Sequence, residues 1–374
     1  MISQTLRTLD ELSRLEHLWH DAHGPFSKPA YPFLDFYWLM AYAKYFCQDN
    51  RLCIEFSQEK DDFMLLPMVN NNRPFKSMNL LGDGFFDYRD VVVHGSVRDP
   101  FLKYFKNVSA DILHFNRLRE DSIVWSIVKT SREEDFGNFK TVIKKSIRSP
   151  YISIKGDWEE YLSTLKRKFI TDIQRQIRRL LSLGDFQFRV CQNIGEVRIV
   201  TETLFNQHIE RRKVLGQDRS IFEQKITRDF LNTLNEKLFH TSKLRFFYFM
   251  LNKKIIAVAE CFLYGHVLYY YLPTFSDGYK AYSPGNTLLY YIIKFCFENE
   301  VKEIDFLGGE EEYKLNWNAQ IRQLYDIYFY KKNLGGYMAC AQMEWMSLVH
   351  FLKDHLSKTP LKDIKRRIFI RLST

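Results

Sequence analysis

The sequence predicts an α/β protein of the α+β kind: two domains, each a mixed, mostly antiparallel sheet flanked by helices. Three observations predict it. The chain has 374 residues, about two domains of common size. Three β-rich runs, 243–251, 254–264 and 266–272, are separated only by the turns Asn252-Lys253 and Gly265-His266, the pattern of an antiparallel meander. An amphipathic helix over 165–183 supplies a flank, with Leu165, Phe169, Ile173, Ile177 and Leu180 on one face.

Composition narrows the classes. Hydrophobic residues make up 46% and aromatics 16%, enough for real cores and too much for a disordered chain. No apolar run approaches the ~20 residues that span a bilayer. The start, MISQTLRTLDEL, has acids and no apolar core, so it does not read as a signal peptide. The six cysteines form no CxxC pair, which suits a reducing cytoplasm without structural zinc. His17, His20 and His23 step by three, drift around a helix and gain no completing ligand, so no metal is expected. The net charge of +9 favours anionic partners: CoA phosphates, nucleotide-sugars, acidic lipids or tRNA.

In chain order, residues 1–145 read as the first domain. A helix is expected over 34–46 after Pro32, then paired strands over 51–57 and 63–68. The segment 85–90 leads into a strand over 91–93, and short strands are expected over 112–115 and 122–126. The charged, turn-rich stretch 131–149 reads as the linker. The second domain is 146–338. It opens with the 165–183 helix, whose Lys166, Arg167, Lys168, Arg175, Arg178 and Arg179 form either an anion-binding wall or a solvated basic face. A helix over 197–213 and the meander follow. Residues 339–374 are an extension in which Lys362, Lys365, Arg366, Arg367 and Arg371 alternate with Leu361, Ile364, Ile368, Phe369 and Ile370. That basic amphipathic pattern suits an anionic membrane face, a partner helix or a mobile tail.

The functional residues cluster after the meander. Ser283, Pro284, Gly285 and Asn286 precede an apolar helix over 287–299, and a proline there is a helix-start signal. Free N–H groups and the positive end of the helix dipole make such a start an anion site, although an ordinary turn and cap has the same residues. A short strand then ends in Asp305, and Gly308-Gly309 leads to Glu310, Tyr313 and Lys314. A cation at Lys314 suits an oxyanion and equally suits a fold-stabilising ion pair. His208 and Arg212 are one helical turn apart, so His208 reads as a proton acceptor or as a packed histidine. Glu260, in mid-strand, either faces a cleft as a base of raised pKa or lies on an exposed strand face.

Taken together, Asn206-Gln-His208-Ile-Glu-Arg211-Arg212 with Gly216, Gly278-Tyr279, Ser283-Pro284-Gly285-Asn286, and Asp305-Phe-Leu-Gly-Gly-Glu310 with Tyr313-Lys314 and Trp317 resemble the BioF-like, or CelD-type, acetyltransferases. That family lies in the GNAT superfamily and is related to the FemAB aminoacyl-transferases. The resemblance covers roughly 150–335. Lys280-Ala-Tyr-Ser283-Pro-Gly285 is a degenerate form of the superfamily's pyrophosphate loop. The resemblance implies two tandem GNAT-like domains and acyl transfer from acyl-CoA to an amine or hydroxyl, often on a polysaccharide or lipid-linked sugar precursor. It implies a donor site at Lys280, Ser283, Gly285, Asn286 and Thr287. It implies Lys314, Tyr313 and His208 as reacting residues, to which position in the strands adds Glu260 and Asp305. Acceptor contacts fall to Arg212, Asp87, Tyr88, Asp90 and Glu310. The alternatives are a FemAB-like transferase using aminoacyl-tRNA and a non-catalytic binding protein on the same scaffold.

Overall fold

The structure, a computed structural model, describes residues 2–22, 31–47, 51–71, 75–216 and 219–357. His23 and the basic part of the extension, 362–371, lie outside the described residues.

The first half runs β1 (Ile2–Leu6), α1 (Leu9–Ser13), α2 (Glu16–Ala22), α3 (Phe36–Phe46), β2 (Leu52–Glu59), β3 (Asp62–Asn71), β4 (Ser77–Leu80), β5 (Val92–His94), α4 (Arg98–Asn107), β6 (Ile112–Arg119) and α5 (Ile123–Thr130). The long strand β7 (Phe139–Ser153) follows. The second half runs α6 (Trp158–Thr164), α7 (Arg167–Leu181), β8 (Phe186–Val190), α8 (Ile194–Val214), α9 (Lys225–His240), β9 (Leu244–Leu251), β10 (Lys254–Tyr264), β11 (Val267–Phe275), α10 (Pro284–Glu298), β12 (Glu303–Asp305), α11 (Glu312–Leu315), β13 (Gln320–Lys331) and α12 (Leu334–Ser357).

Among the described residues the strands form one sheet in the order β1-β2-β3-β4-β6-β13-β7-β12-β11-β10-β9-β8, with β5 beside β3. Pairing is antiparallel except for β4 with β6 and β11 with β12. The fold is therefore a mixed, mostly antiparallel sheet flanked by helices. Trp38 of α3, Phe205 of α8 and Phe230 of α9 cover one face across both halves, above Ile54, Leu65, Val258 and Phe262. On the other face α7 and α10 cover the second half through Ile173, Leu180, Leu289 and Ile293. There α4 covers the first half through Phe101 and Phe105.

Two expectations are corrected. The stretch 131–149 is not a linker, because β7 runs through it. Early in β7, Val142 and Ile143 pair with Tyr328 and Ile327 of β13. Late in β7, Ile152 pairs with Ile304 of β12. One side of the strand faces outward, so its lysines and serines look like loop chemistry. Residues 123–130 are a helix, not a strand. The Ser122 hydroxyl accepts from the Trp125 N–H at 3.2 Å and nucleates that helix.

Candidate functional site

The loop after β11 is built for a helix start with unfilled donors. Ser283 sits in the left-handed region (φ 48°, ψ 50°), makes no side-chain cap and turns the chain into Pro284. The first intrahelical bond runs from the Thr287 N–H to the Ser283 carbonyl at 3.0 Å. The Gly285 and Asn286 N–H groups therefore precede the helix ladder. A Cβ on Gly285 would lie in ordinary van der Waals contact with the Phe275 ring, 3.4 Å away, so this loop packs against that ring. Thr287 is fully buried and its hydroxyl bonds back to the Ser283 and Pro284 carbonyls. It shapes the helix start and presents no group to a ligand.

Arginines frame the loop on both sides. The Arg211 guanidinium, from the C-terminal turn of α8, lies 4.0 Å from the centroid of the Phe275 ring. Burial pulls its pKa down, while Asp277 and Tyr313 favour its charge. Arg179, from α7, donates to the Ala281 carbonyl at 3.0 Å and lies 4.6 Å from the Tyr282 ring centroid. Lys280 is exposed on the loop itself.

The Tyr313–Lys314 turn reaches this place through Arg211. Tyr313 is half-buried, and burial with the nearby Glu311 charge pushes its phenol pKa up while Arg211 opposes. The phenol therefore keeps its proton at neutral pH. Lys314 departs from expectation. Its ammonium is buried against Glu311 Oε2 at 2.7 Å and the Gly308 and Gly309 carbonyls at 3.2 Å each. All three protons have acceptors, so Lys314 pins the double-glycine turn and has none to offer an oxyanion.

Asp305 is a structural centre. It is fully buried. Its Oδ1 accepts from the Tyr88 hydroxyl at 2.6 Å and the Leu307 N–H at 2.8 Å. Its Oδ2 meets Arg322 at 2.9 Å and Arg119 at 3.4 Å. Ser149 of β7 bonds both Tyr88 and Asp305. Tyr88 therefore locks the two halves together and does not line an acceptor cleft. Asp90, also fully buried, accepts from the Ile123 and Val124 N–H groups at 2.6 and 3.0 Å and caps α5. Burial lifts its pKa to about 7. Asp87 pairs with Arg117 and accepts from the Gly308 N–H, and burial holds its pKa up. Glu310 pairs with Arg148 at 2.6 Å. These acidic residues have partners within the protein.

His208 lies one turn before Arg211 on α8, with Nδ1 2.8 Å from the Ser220 hydroxyl and its ring edge-on to Phe222. Burial, then Arg212 and Arg211, lower its pKa, so it is neutral at pH 7. Arg212 is half-buried beside it. Glu260 faces neither solvent nor the loop. It is fully buried under α8 and α9 near Asn235, and neither of its carboxyl oxygens has a hydrogen-bond partner among the described residues. Burial raises its pKa to about 8, so it is a neutral acid in the core and not a base in a cleft.

The structure thus brings together Ser283, Gly285, Asn286, Arg211 and Tyr313, with Lys314 behind them. Arg179 was legible only as one member of a basic face. Arg119 and Arg322 lie in no motif and had no local signal. A cavity of about 400 Å³ on the first half is lined by Glu59, Asp61, Asp62 and Asp99 and holds none of these residues. Among the described residues no group of His, Cys, Asp or Glu is placed to hold a metal. No described helix is long and apolar enough to cross a membrane.

The mixed sheet with a helix-bridged parallel pair beside an antiparallel meander is the setting in which the comparisons are read. Residues 167–315 match the acetyltransferase (GNAT) domain family, a span that includes the loop before α10 and the Tyr313–Lys314 turn. The protein is an acyltransferase of GNAT type. Among particular proteins, the chain is similar to the crystal structure of FemX, with 12% identity, 88% of this chain and 97% of that one covered, and a TM-score of 0.60. It is similar to the C-terminal DUF2156 domain of a putative lysylphosphatidylglycerol synthetase from Agrobacterium fabrum, with 11% identity, 91% and 97% coverage and a TM-score of 0.56. A conserved protein of unknown function from Bacteroides thetaiotaomicron gives 11% identity, 88% and 100% coverage and a TM-score of 0.54. At such identities these likenesses are of fold. No curated protein matches the chain.

Proposed function

We propose that the protein transfers an acyl group, acetyl in the simplest case, from acyl-CoA to an amine or hydroxyl of a sugar or polysaccharide precursor, as a BioF-like (CelD-type) transferase. One observation carries this reading: Arg211, Tyr313 and the uncapped start of α10 converge at the end of β11. The loop fits a pyrophosphate, because its amides precede the helix ladder and arginines stand on either side. Bound there, the thioester supplies the activated acyl group.

The chain's own residues then divide the work. Gly285, Asn286, Arg211 and the exposed Lys280 hold the phosphates. His208, kept neutral, accepts the proton of the incoming amine or hydroxyl. Tyr313, kept protonated, gives its proton to the departing sulfur and recovers one from solvent. Lys314 acts through position, by fixing the turn that carries Tyr313. Acceptor and thioester gain most from being held together.

Calorimetry with acetyl-CoA tests the donor site. Binding that weakens in Arg211→Ala supports it. No heat with acetyl-CoA or longer acyl-CoAs removes it. A second reading, aminoacyl-tRNA as donor, draws on the exposed basic side of α7, where Arg175, Arg178 and Arg179 continue from the loop. Salt-sensitive binding of aminoacyl-tRNA, without acetyl-CoA binding, favours that reading instead.

A further inference from the structure

We propose that the cleft between α8 and α9 binds a short primary alkylammonium ion. The cleft has a volume of about 260 Å³, and Ile194, Val197 and Thr201 of α8 and Asn235 of α9 line it. Ion pairs stand at its sides, Arg198 with Glu236 and Glu202 with Arg228. Thr201 and Asn235 are each only 1% exposed. They meet at the floor, where Asn235 Nδ2 donates to Thr201 Oγ1 at 3.5 Å. Asn235 Oδ1 then has no partner among the described residues, and neither has Glu260 Oε1 or Oε2 behind it on β10. Buried polar atoms are as a rule paired, so three unpaired ones in one place ask for a ligand.

The surroundings say which ligand. The three atoms all lie on acceptor groups, so the ligand must bring donors. No charged side chain among the described residues acts on the Glu260 carboxyl, and its titratable neighbours Cys261 and Tyr271 are buried and uncharged. An ammonium supplies both the missing donors and a counter-charge. Ile194 and Val197 offer apolar walls to a short alkyl tail. The arginines at the sides already hold carboxylates, which leaves little for an anion. The arriving cation favours the ionised form of Glu260, so its proton leaves to solvent. This place is not where the acyl group moves. Thr201 precedes Arg211 on α8 by ten residues, about 15 Å at ~1.5 Å per residue. An amine held here is therefore an effector: it ties α9 to α8, the helix that carries His208 and Arg211. The inference is independent of which acyl donor the enzyme uses.

Calorimetric titration of the full chain with n-butylammonium chloride tests it, with sodium chloride and tetramethylammonium chloride as controls. The expected result is saturable binding of butylammonium alone, with release of about one proton at pH 7 when buffers of different ionisation heat are compared. Asn235→Leu, which puts an apolar group on the floor, should weaken binding about tenfold or more. Glu260→Gln covers loss of folding in that variant, because a neutral amide replaces a neutral acid. It should still bind, more weakly and with no proton released. No binding of butylammonium overturns the proposal. So does equal binding of tetramethylammonium, which has no N–H to donate, or unchanged proton release in Glu260→Gln.

Discussion

β4 and β6 are a parallel pair bridged through α4, and β11 and β12 are another bridged through α10. The two crossovers share a topology and differ in what fills them. After β11 the chain reaches α10 through Ser283-Pro284-Gly285-Asn286, and the helix start is left without a side-chain cap. After β4 the chain turns its own side chains inward. Arg89 is buried against the Leu80 and Gly82 carbonyls, Asp83 and Asn116. Tyr88 reaches into the centre, and Asp90 takes the N–H groups of α5. An acid, Asp99, stands in the first turn of α4. Because α4 also starts without a side-chain cap, an uncapped start alone does not distinguish the two. What differs is the charge beside it, Arg211 by the loop before α10 against an acid in the first turn of α4. When the chain's own carboxylates and arginines fill the crossover, the same topology becomes scaffold.

Four experiments press on that difference. The largest effect belongs to the scaffold. Asp305→Asn takes the shared carboxylate from the buried Arg119 and the partly exposed Arg322, leaving them Asp121 and Glu303, and should cost about 3–5 kcal/mol in denaturant unfolding. An unchanged midpoint would deny Asp305 its central place. Next comes the open crossover. Tyr313→Phe should lower kcat about a hundredfold with little change in KM or melting temperature. A wild-type kcat would take Tyr313 out of the reaction.

The third effect depends on pH. Glu260 has a folded pKa of about 8 against an ordinary 4.5. The folded state keeps a proton that the unfolded state releases, so stability falls as pH rises between these values and then levels off. Glu260→Gln should match wild type near pH 4 and exceed it by a margin that grows to a few kcal/mol by about pH 8 and is constant above. Parallel stability curves would mean that the carboxyl has a charged partner. The smallest effect sharpens the comparison directly. Arg211→Ala should weaken acyl-CoA binding about tenfold, while Asp99→Asn at the equivalent helix of the first half should leave it unchanged. Equal effects would show that the halves are not divided as described.

Much of the fold was legible. The meander was read within three residues of its observed ends because tight turns fix hairpin register locally. Pro284 marked the start of α10 for the same local reason. β7 was hidden because its partners, β12 and β13, lie about 170 residues further along, and its exposed side carries lysines. The site was read only in part. Arg211 and Arg212 are neighbours in sequence, and the exact phase of α8 decides which one meets Phe275. Lys314 was correctly placed beside the glycines, but its acceptors are backbone carbonyls, which side-chain patterns do not reveal. Glu260 read as facing either a cleft or solvent, because the strand pattern does not reveal that α8 and α9 cover that face of the sheet.

β7 has one more consequence. It lends its first residues to one half and its last residues to the other, and β13 crosses between them in the same way. Cutting the gene near residue 145 would divide a strand, and neither fragment would close its sheet. Duplication or fusion can move this catalytic unit only as a whole, so the scaffold half travels with the reactive half as an obligatory companion.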